Sequence, residues 1–239
     1  MPKRSADPEI TVALVMAPRD EGAFSRAEAK AALHLRLRAR GIQDLAVLRA
    51  LEMVPREAFV SHRYVDLAAR DLALPIGCGQ TISEPSLVAR MIEALTVARH
   101  HRVLEIGTGS GFAAAVLAQL AQEVFSLERF RSLAIESQER LAQLGVVNAA
   151  VVHGDGLAVP ATIGQFDRII VHGVLGEVPG TLAECLAADG VIVFARQLVD
   201  APACKQIVRL ASNGEDGFAE TPICPCRLQA ILPGLAEAL

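Results

Sequence analysis

Val103-Leu104-Glu105-Ile106-Gly107-Thr108-Gly109-Ser110-Gly111 decides the fold of this 239-residue chain. The run Val103 to Ile106 reads as a buried strand, three alternate glycines follow it, and the apolar stretch from Phe112 to Ala121 reads as the helix that they open. Glycine lacks a Cβ, so the chain can turn sharply and a ligand can lie against the peptide units, where unpaired N–H groups at the helix start favour a negatively charged group.

Dinucleotide sites usually read Gly-x-Gly-x-x-Gly. Here the glycines stand at 107, 109 and 111 behind the acidic Glu105, a shape that resembles the first motif of class I S-adenosyl-L-methionine (AdoMet) methyltransferases. The spacing therefore argues against a nicotinamide dehydrogenase. Strand and helix signals alternate after the turn. Val124 to Leu127, Ala149 to Val152, Arg168 to Val171 and Val191 to Ala195 are predicted strands, and Arg131 to Leu144 and Thr181 to Leu186 are predicted helices. That order predicts an α/β, Rossmann-like class I methyltransferase fold, mostly a parallel sheet with helices on both faces. Gln206 to Leu210 and Leu228 to Leu232 are predicted to close it as an antiparallel pair, with Asn213-Gly214 in the connection.

Upstream, Ser25-x-x-Glu28 has the form of a capping box for a helix that ends at Gly41, and a second helix from Asp44 to Met53 stops before Pro55. Residues 56 to 85 are less periodic and read as site-bearing loops. Pro85 then begins a helix whose Val88, Met91, Ile92 and Leu95 form an apolar stripe suited to the core. Residues 1–23 form an extension. Residues 24–239 form one domain, in which 24–100 supply N-terminal helices and a substrate loop and 101–239 the cofactor core and C-terminal strands.

A hydrophobic content of 52% is ample for a large core, and a formal net charge of −4 lacks the basic field of a general nucleic-acid binder. Five cysteines without a Cys-x-x-Cys pair suit the reducing cytoplasm. Cys224-Pro225-Cys226 lacks partners to complete a metal site and reads as structural. The apolar run Ile10 to Ala17 is too short to span a bilayer.

A longer series of segments resembles the protein-L-isoaspartate O-methyltransferase family. It comprises Val54-Pro55-Arg56-Glu57-Ala58-Phe59-Val60, Tyr64-x-Asp66, Gly79-Gln80-Thr81-Ile82-Ser83-Glu84-Pro85, the glycine turn, His153-Gly154-Asp155-Gly156 and Phe166-Asp167-x-Ile169-Ile170, with a weaker echo near Leu228 to Pro233. The resemblance implies AdoMet as methyl donor, S-adenosyl-L-homocysteine as product, and the α-carboxylate of L-isoaspartyl residues in damaged proteins as acceptor. It also implies that Ser83 is the active-site hydroxyl and that Ile76, Gly77, Gln80 and Val88 contribute to the peptide groove. The cofactor residues it implies are Thr81, Ile82, Glu105, Gly107, Thr108, Gly109, Gly111, Glu128, Asp155 and Gly156. Glu128, at a strand end, suits the ribose hydroxyls, Asp155-Gly156 suits the adenine edge or forms an ordinary turn, and Glu105 either organises the glycine turn or meets the amino end of the cofactor. Ser83 also suits an N-cap for the helix at Pro85.

The chain departs from the family's pattern at Phe112 and Ala113, from His172 to Pro179, and at Ala195-Arg196-Gln197. An AdoMet methyltransferase for another carboxylate or small molecule, or a non-catalytic binding protein, would share the same scaffold.

Overall fold

Two helices open the described residues, α1 (Glu21–Ala39) and the amphipathic α2 (Leu45–Met53). The structure is a computed structural model that describes residues 21–198, 201, 203–212 and 217–236. The first helix starts four residues before Ser25, whose side chain lies outside those described, and Gly41 ends the turn after it in the left-handed region at φ 90°. Asp44 caps α2 by accepting the N–H groups of Ala46 and Val47, and Val47, Leu48 and Leu51 bury its inner face.

Two short 3-10 turns, Arg56–Phe59 and His62–Leu67, precede a small hairpin of β1 (Leu74–Pro75) and β2 (Thr81–Ile82). Pro85 then occupies the first turn of α3 (Pro85–Leu95), where its missing N–H costs nothing. The predicted stripe of Val88, Met91, Ile92 and Leu95 is at most 2% exposed. Each such burial contributes about 1.5–3 kcal/mol against leaving the side chain in water.

The core of the molecule is a seven-stranded sheet. Its strands are β3 (Arg102–Ile106), β4 (Glu123–Glu128), β5 (Ala149–His153), β6 (Phe166–Val174), β7 (Leu186–Gln197), β8 (Lys205–Ser212) and β9 (Phe218–Cys226), in the order β5-β4-β3-β6-β7-β8-β9. The first five run parallel, and β8 and β9 complete an antiparallel meander. Between them lie α4 (Phe112–Ala118), α5 (Arg131–Gln143) and α6 (Gly180–Glu184).

Side chains alternate across the sheet as a two-residue period demands. Val103, Val124, Ile170 and Val193 join α2, α3 and α4 in one apolar cluster, while Leu104, Ile169, Ile192 and Phe194 join Leu182 of α6 and Val159 in another. The strand order reverses beside β3, because the chain moves outward through β4 and β5 and then returns to β6. A crevice opens at the carboxyl ends of the strands there.

One prediction needs correcting. The antiparallel partner of β8 is β9, not Leu228 to Leu232, which makes a single bridge between Ala230 and Val174. β9 contains Pro222 and Pro225, and as an edge strand it accommodates them, because a proline there need not donate into a ladder. Asn213-Gly214 lies outside the described residues.

Candidate active site

The glycine turn leaves β3 with Gly107 at φ 88°, Gly109 at φ 55° and Gly111 at φ 88°, a left-handed sequence that favours glycine at all three positions. Beneath it lies a fully buried acid. Glu105 is 0% exposed, and Ser126 of β4 donates its hydroxyl to Glu105 Oε2 while Thr108 donates to Ser126. His172 of β6 donates from Nε2 to Glu105 Oε1 at 3.0 Å. These bonds fasten the turn to both neighbouring strands and satisfy a carboxylate that burial would otherwise penalise heavily.

The register between β6 and β7 shifts between Ile170 and Val174. Such a bulge re-aims side chains, and His172, within it, lines the crevice. At Gly173 an added Cβ would lie 2.4 Å from Ile231 Cδ1 and 3.1 Å from Gln229 O, so a side chain here would push on the segment after β9 that crosses it. Ile231 donates its N–H to Val174 O, Gly234 donates to Asp155 Oδ2 at 2.7 Å and Ala236 donates to Arg129 O. The C-terminal segment is thereby fastened across the ends of the strands.

The crevice is a cavity of about 620 Å³. Gln80, Thr81, Ser83, Gly107, Gly109, Glu128 and Gly156 line it together, with His172 and residues 227–232 forming much of the remaining wall. Its size suits a cofactor together with the reacting end of an acceptor. The Glu128 carboxylate accepts from Gly109 N at 2.8 Å and from Phe130 N at 3.0 Å, so both its oxygens are oriented by backbone at the cavity edge. Gly107 and Gly109 present backbone without side chains to the same space. A cation-bearing, sugar-containing cofactor fits that combination of acid and bare backbone.

The other predicted residues lie elsewhere. Ile76 and Gly77 line a second cavity of about 500 Å³ with Phe59, Tyr64 and Arg140, although Ile76 Cδ1 also approaches Gly109. Ile82 and Val88 are buried in the core, and Thr108 and Glu105 sit beneath the turn. Gly111 packs on Ser137, and Asp155 holds Leu157 N and Gly234 N with its two oxygens. Ser83 does not cap α3: Glu84 is at the N-cap, and Asp71 Oδ1 accepts the Ser86 N–H instead.

The sequence places His172 near the expected site and favours a loop role for it over that of a general base, and it does not single out Arg129, Arg227 or Ser126. Burial pushes up the Cys224 and Cys226 thiols, which disfavours the thiolate form that a metal ligand needs. Among the described residues no group of three or more His, Cys, Asp or Glu side chains could hold a metal ion, and no helix is long and apolar enough to cross a membrane.

A parallel sheet with its crevice at the switch point, a Gly-x-Gly-x-Gly turn behind a buried acid, and a second acid at the end of the next strand define a class I AdoMet-dependent methyltransferase. The profile of the protein-L-isoaspartate(D-aspartate) O-methyltransferase family matches residues 28–221, and the chain belongs to that family. The protein-L-isoaspartate O-methyltransferase of Rhodopseudomonas palustris strain BisA53 is 47% identical over 210 residues, covering 88% of this chain and 96% of that protein. Its counterpart from Azorhizobium caulinodans is 44% identical over 214 residues, covering 90% and 97%. A solved protein-L-isoaspartate O-methyltransferase superposes with a TM-score of 0.77 at 25% identity, over 86% of this chain and 67% of that one. A Plasmodium falciparum structure of the same type, determined with S-adenosyl-L-homocysteine, shares the fold at a TM-score of 0.71 and 22% identity, over 84% and 97%.

Proposed function

We propose that the chain transfers the methyl group of AdoMet to the α-carboxylate of L-isoaspartyl residues in damaged proteins or peptides, giving an ester that closes to a succinimide and reopens in part to normal aspartate. The observation that supports this reading is that Ser83 and Glu128 line one cavity, so that a hydroxyl able to orient the acceptor carboxylate and an acid able to hold the cofactor ribose face the same space. Bound AdoMet supplies an electrophilic methyl on a sulfonium, whose carbon–sulfur bond breaks as the carboxylate oxygen bonds to carbon.

The acceptor carboxylate is ionised at neutral pH and is itself the nucleophile, so the chain need not supply a strong base. Its task is alignment and exclusion of water, since opposite charges that cancel during transfer attract more strongly in a dry site. Ser83 orients the acceptor by donating a hydrogen bond. With Asp71 and Glu84 at the start of α3, the serine is free of a capping role. Glu128 receives the ribose hydroxyls, Gly107 and Gly109 give backbone approach, and Gly156 opens space for the adenine ring beside Asp155. Thr81 and Gln80 shape the passage between cofactor and acceptor. Residues 24–239 act as one catalytic unit, working in the cytoplasm on protein substrates and not on nucleic acid.

The test is methyl transfer from labelled AdoMet to matched peptides carrying L-isoaspartate or L-aspartate. Selectivity for isoaspartate, lost in Ser83→Ala with AdoMet binding retained, supports the reading. Binding of AdoMet without transfer to either peptide sinks it and leaves another acceptor or a binding role.

A further inference from the structure

Arg56 lies outside both the cavity lining and the sheet, yet it is 4% exposed and spends its guanidinium almost wholly on backbone. Nη1 donates to Ala68 O at 2.9 Å and to Arg70 O at 3.3 Å. Nη2 donates to Leu72 O at 2.9 Å and to Ser83 O at 3.1 Å. Leu72 and Ser83 both line the active-site cavity. The guanidinium also lies 5.8 Å from the centre of the Phe112 ring, at the first position of the helix that follows the glycine turn. One side chain thus joins the loop before the hairpin, the serine after it and the start of the cofactor helix.

A buried cation is costly, and few local folds retain one without need. Burial lowers the Arg56 pKa to about 10, with Asp71 and then Glu84 acting to raise it. At neutral pH it remains charged. Four charge-assisted bonds to carbonyls are individually stronger than neutral ones and hold the planar fork in one orientation. Fixing the Ser83 carbonyl fixes the peptide plane after Ser83 Cα, and with it the backbone from which the serine side chain departs toward the cavity. The following residue, Glu84, is held in turn because its carbonyl accepts the N–H groups of Leu87 and Val88.

We infer that Arg56 is a positioning residue for methyl transfer, aiming the Ser83 hydroxyl at the acceptor carboxylate by clamping the Ser83 carbonyl and the 68–72 loop together. This rests on the acceptor role of Ser83 proposed above. Lysine keeps the charge but presents one compact ammonium, which cannot span carbonyls from four residues.

A double-mutant cycle of Arg56→Lys and Ser83→Ala tests it, read as single-turnover methyl transfer to an isoaspartyl peptide and as S-adenosyl-L-homocysteine affinity by calorimetry. Arg56→Lys is expected to lower transfer about 10- to 100-fold, the scale of a small misplacement, with S-adenosyl-L-homocysteine affinity within about twofold. In the Ser83→Ala background, the same change should alter transfer by less than about threefold, since no hydroxyl remains to be aimed. Equal losses in both backgrounds, or a parallel loss of cofactor-product affinity, would overturn the proposal. Wild-type transfer by Ser83→Ala alone removes the acceptor reading and this inference with it, a result the single mutant distinguishes from failure of Arg56 alone. Arg56→Gln, whose shorter neutral amide removes both the charge and the fork that meets the four carbonyls, is the second variant, and both are checked by cooperative unfolding. If neither folds, Arg56 serves the whole fold and the positioning role is overturned.

Discussion

Glu128 accepts the backbone N–H of Gly109 at 2.8 Å, joining the end of β4 to the turn that leaves β3. The cavity acid therefore also holds the glycine turn in shape. Its second oxygen takes Phe130 N–H at 3.0 Å, which fixes the entry to α5. Removing this carboxylate does more than delete one contact to a ligand.

Glu128→Ala should weaken AdoMet binding by about 10- to 100-fold, taking about 1.5–3 kcal/mol for hydrogen bonds to a charged group. It should also lower the melting temperature, because two backbone donors lose their acceptor. Glu128→Gln retains one oxygen and should fall between wild type and alanine in both. Calorimetric titration with AdoMet and thermal unfolding of the free proteins measure the two effects. Unchanged stability in Glu128→Ala would show that the two backbone bonds are readily replaced by water.

His172 and the buried Glu105 make a second coupled pair, at 3.0 Å. His172→Ala leaves Glu105 Oε1 without its donor at a site of zero exposure, and should destabilise the protein by about 1–3 kcal/mol, the cost of an unsatisfied buried group. Glu105→Gln in the same chain should recover part of that loss, since a neutral amide is less costly to bury. Urea unfolding of wild type, His172→Ala, Glu105→Gln and the double mutant gives the comparison. A His172→Ala midpoint equal to that of wild type would mean that Glu105 finds another partner.

The strand-turn-helix at Glu105 to Gly111 and the parallel sheet around it were legible because their signals are local: short continuous apolar runs, a bare backbone at the turn and a proline at the start of α3. Glu128 and Gly156 were read from the ends of the second and third predicted strands, and both line the cavity. Val88 fell in the core because its stripe is complete without a groove. What the sequence left hidden depends on contacts remote along the chain. His172 reaches Glu105 only through a bulge in β6, Gly234 reaches Asp155 across 79 positions, and Arg56 reaches Ser83 across 27. β9 was not among the predicted strands; with Pro222 and Pro225 in it, the segment suits a strand only at a sheet edge, a place that the local sequence does not state.

His101 supplies a pH dependence unconnected with catalysis. It is 7% exposed, and its Nδ1 accepts the Ala98 N–H at 2.9 Å, a bond that only a ring with Nδ1 unprotonated can make. Burial, aided by Arg168, holds its pKa below the ordinary 6.5 despite the opposing Asp167. The unfolded chain therefore binds the proton more readily, and stability should fall as pH drops below about 6.5 until the folded-state pKa is passed, then level off in this contribution. His101→Asn, whose amide oxygen can accept from Ala98, should flatten that part of the profile. Urea unfolding between about pH 5 and pH 8 tests it, and an identical slope in the mutant would assign the dependence to other groups.

Gly156 joins the cavity to its packing. A Cβ there would stand 2.2 Å from Ile106 Cγ2 and 3.2 Å from Ile106 Cδ1, and Ile106 itself lines the cavity. Gly156→Ala should therefore force Ile106 or the loop after β5 to move, at about 1–3 kcal/mol for overpacking, and should weaken AdoMet binding through the shifted wall. Ile106→Ala removes both clashing carbons. In the double mutant AdoMet affinity should rise above that of Gly156→Ala, even though Ile106→Ala alone loses packing. Calorimetry on the three variants decides the point: if Gly156→Ala binds AdoMet as wild type does, the backbone absorbs the methyl group without disturbing the cavity, and glycine at 156 is not needed for the cofactor.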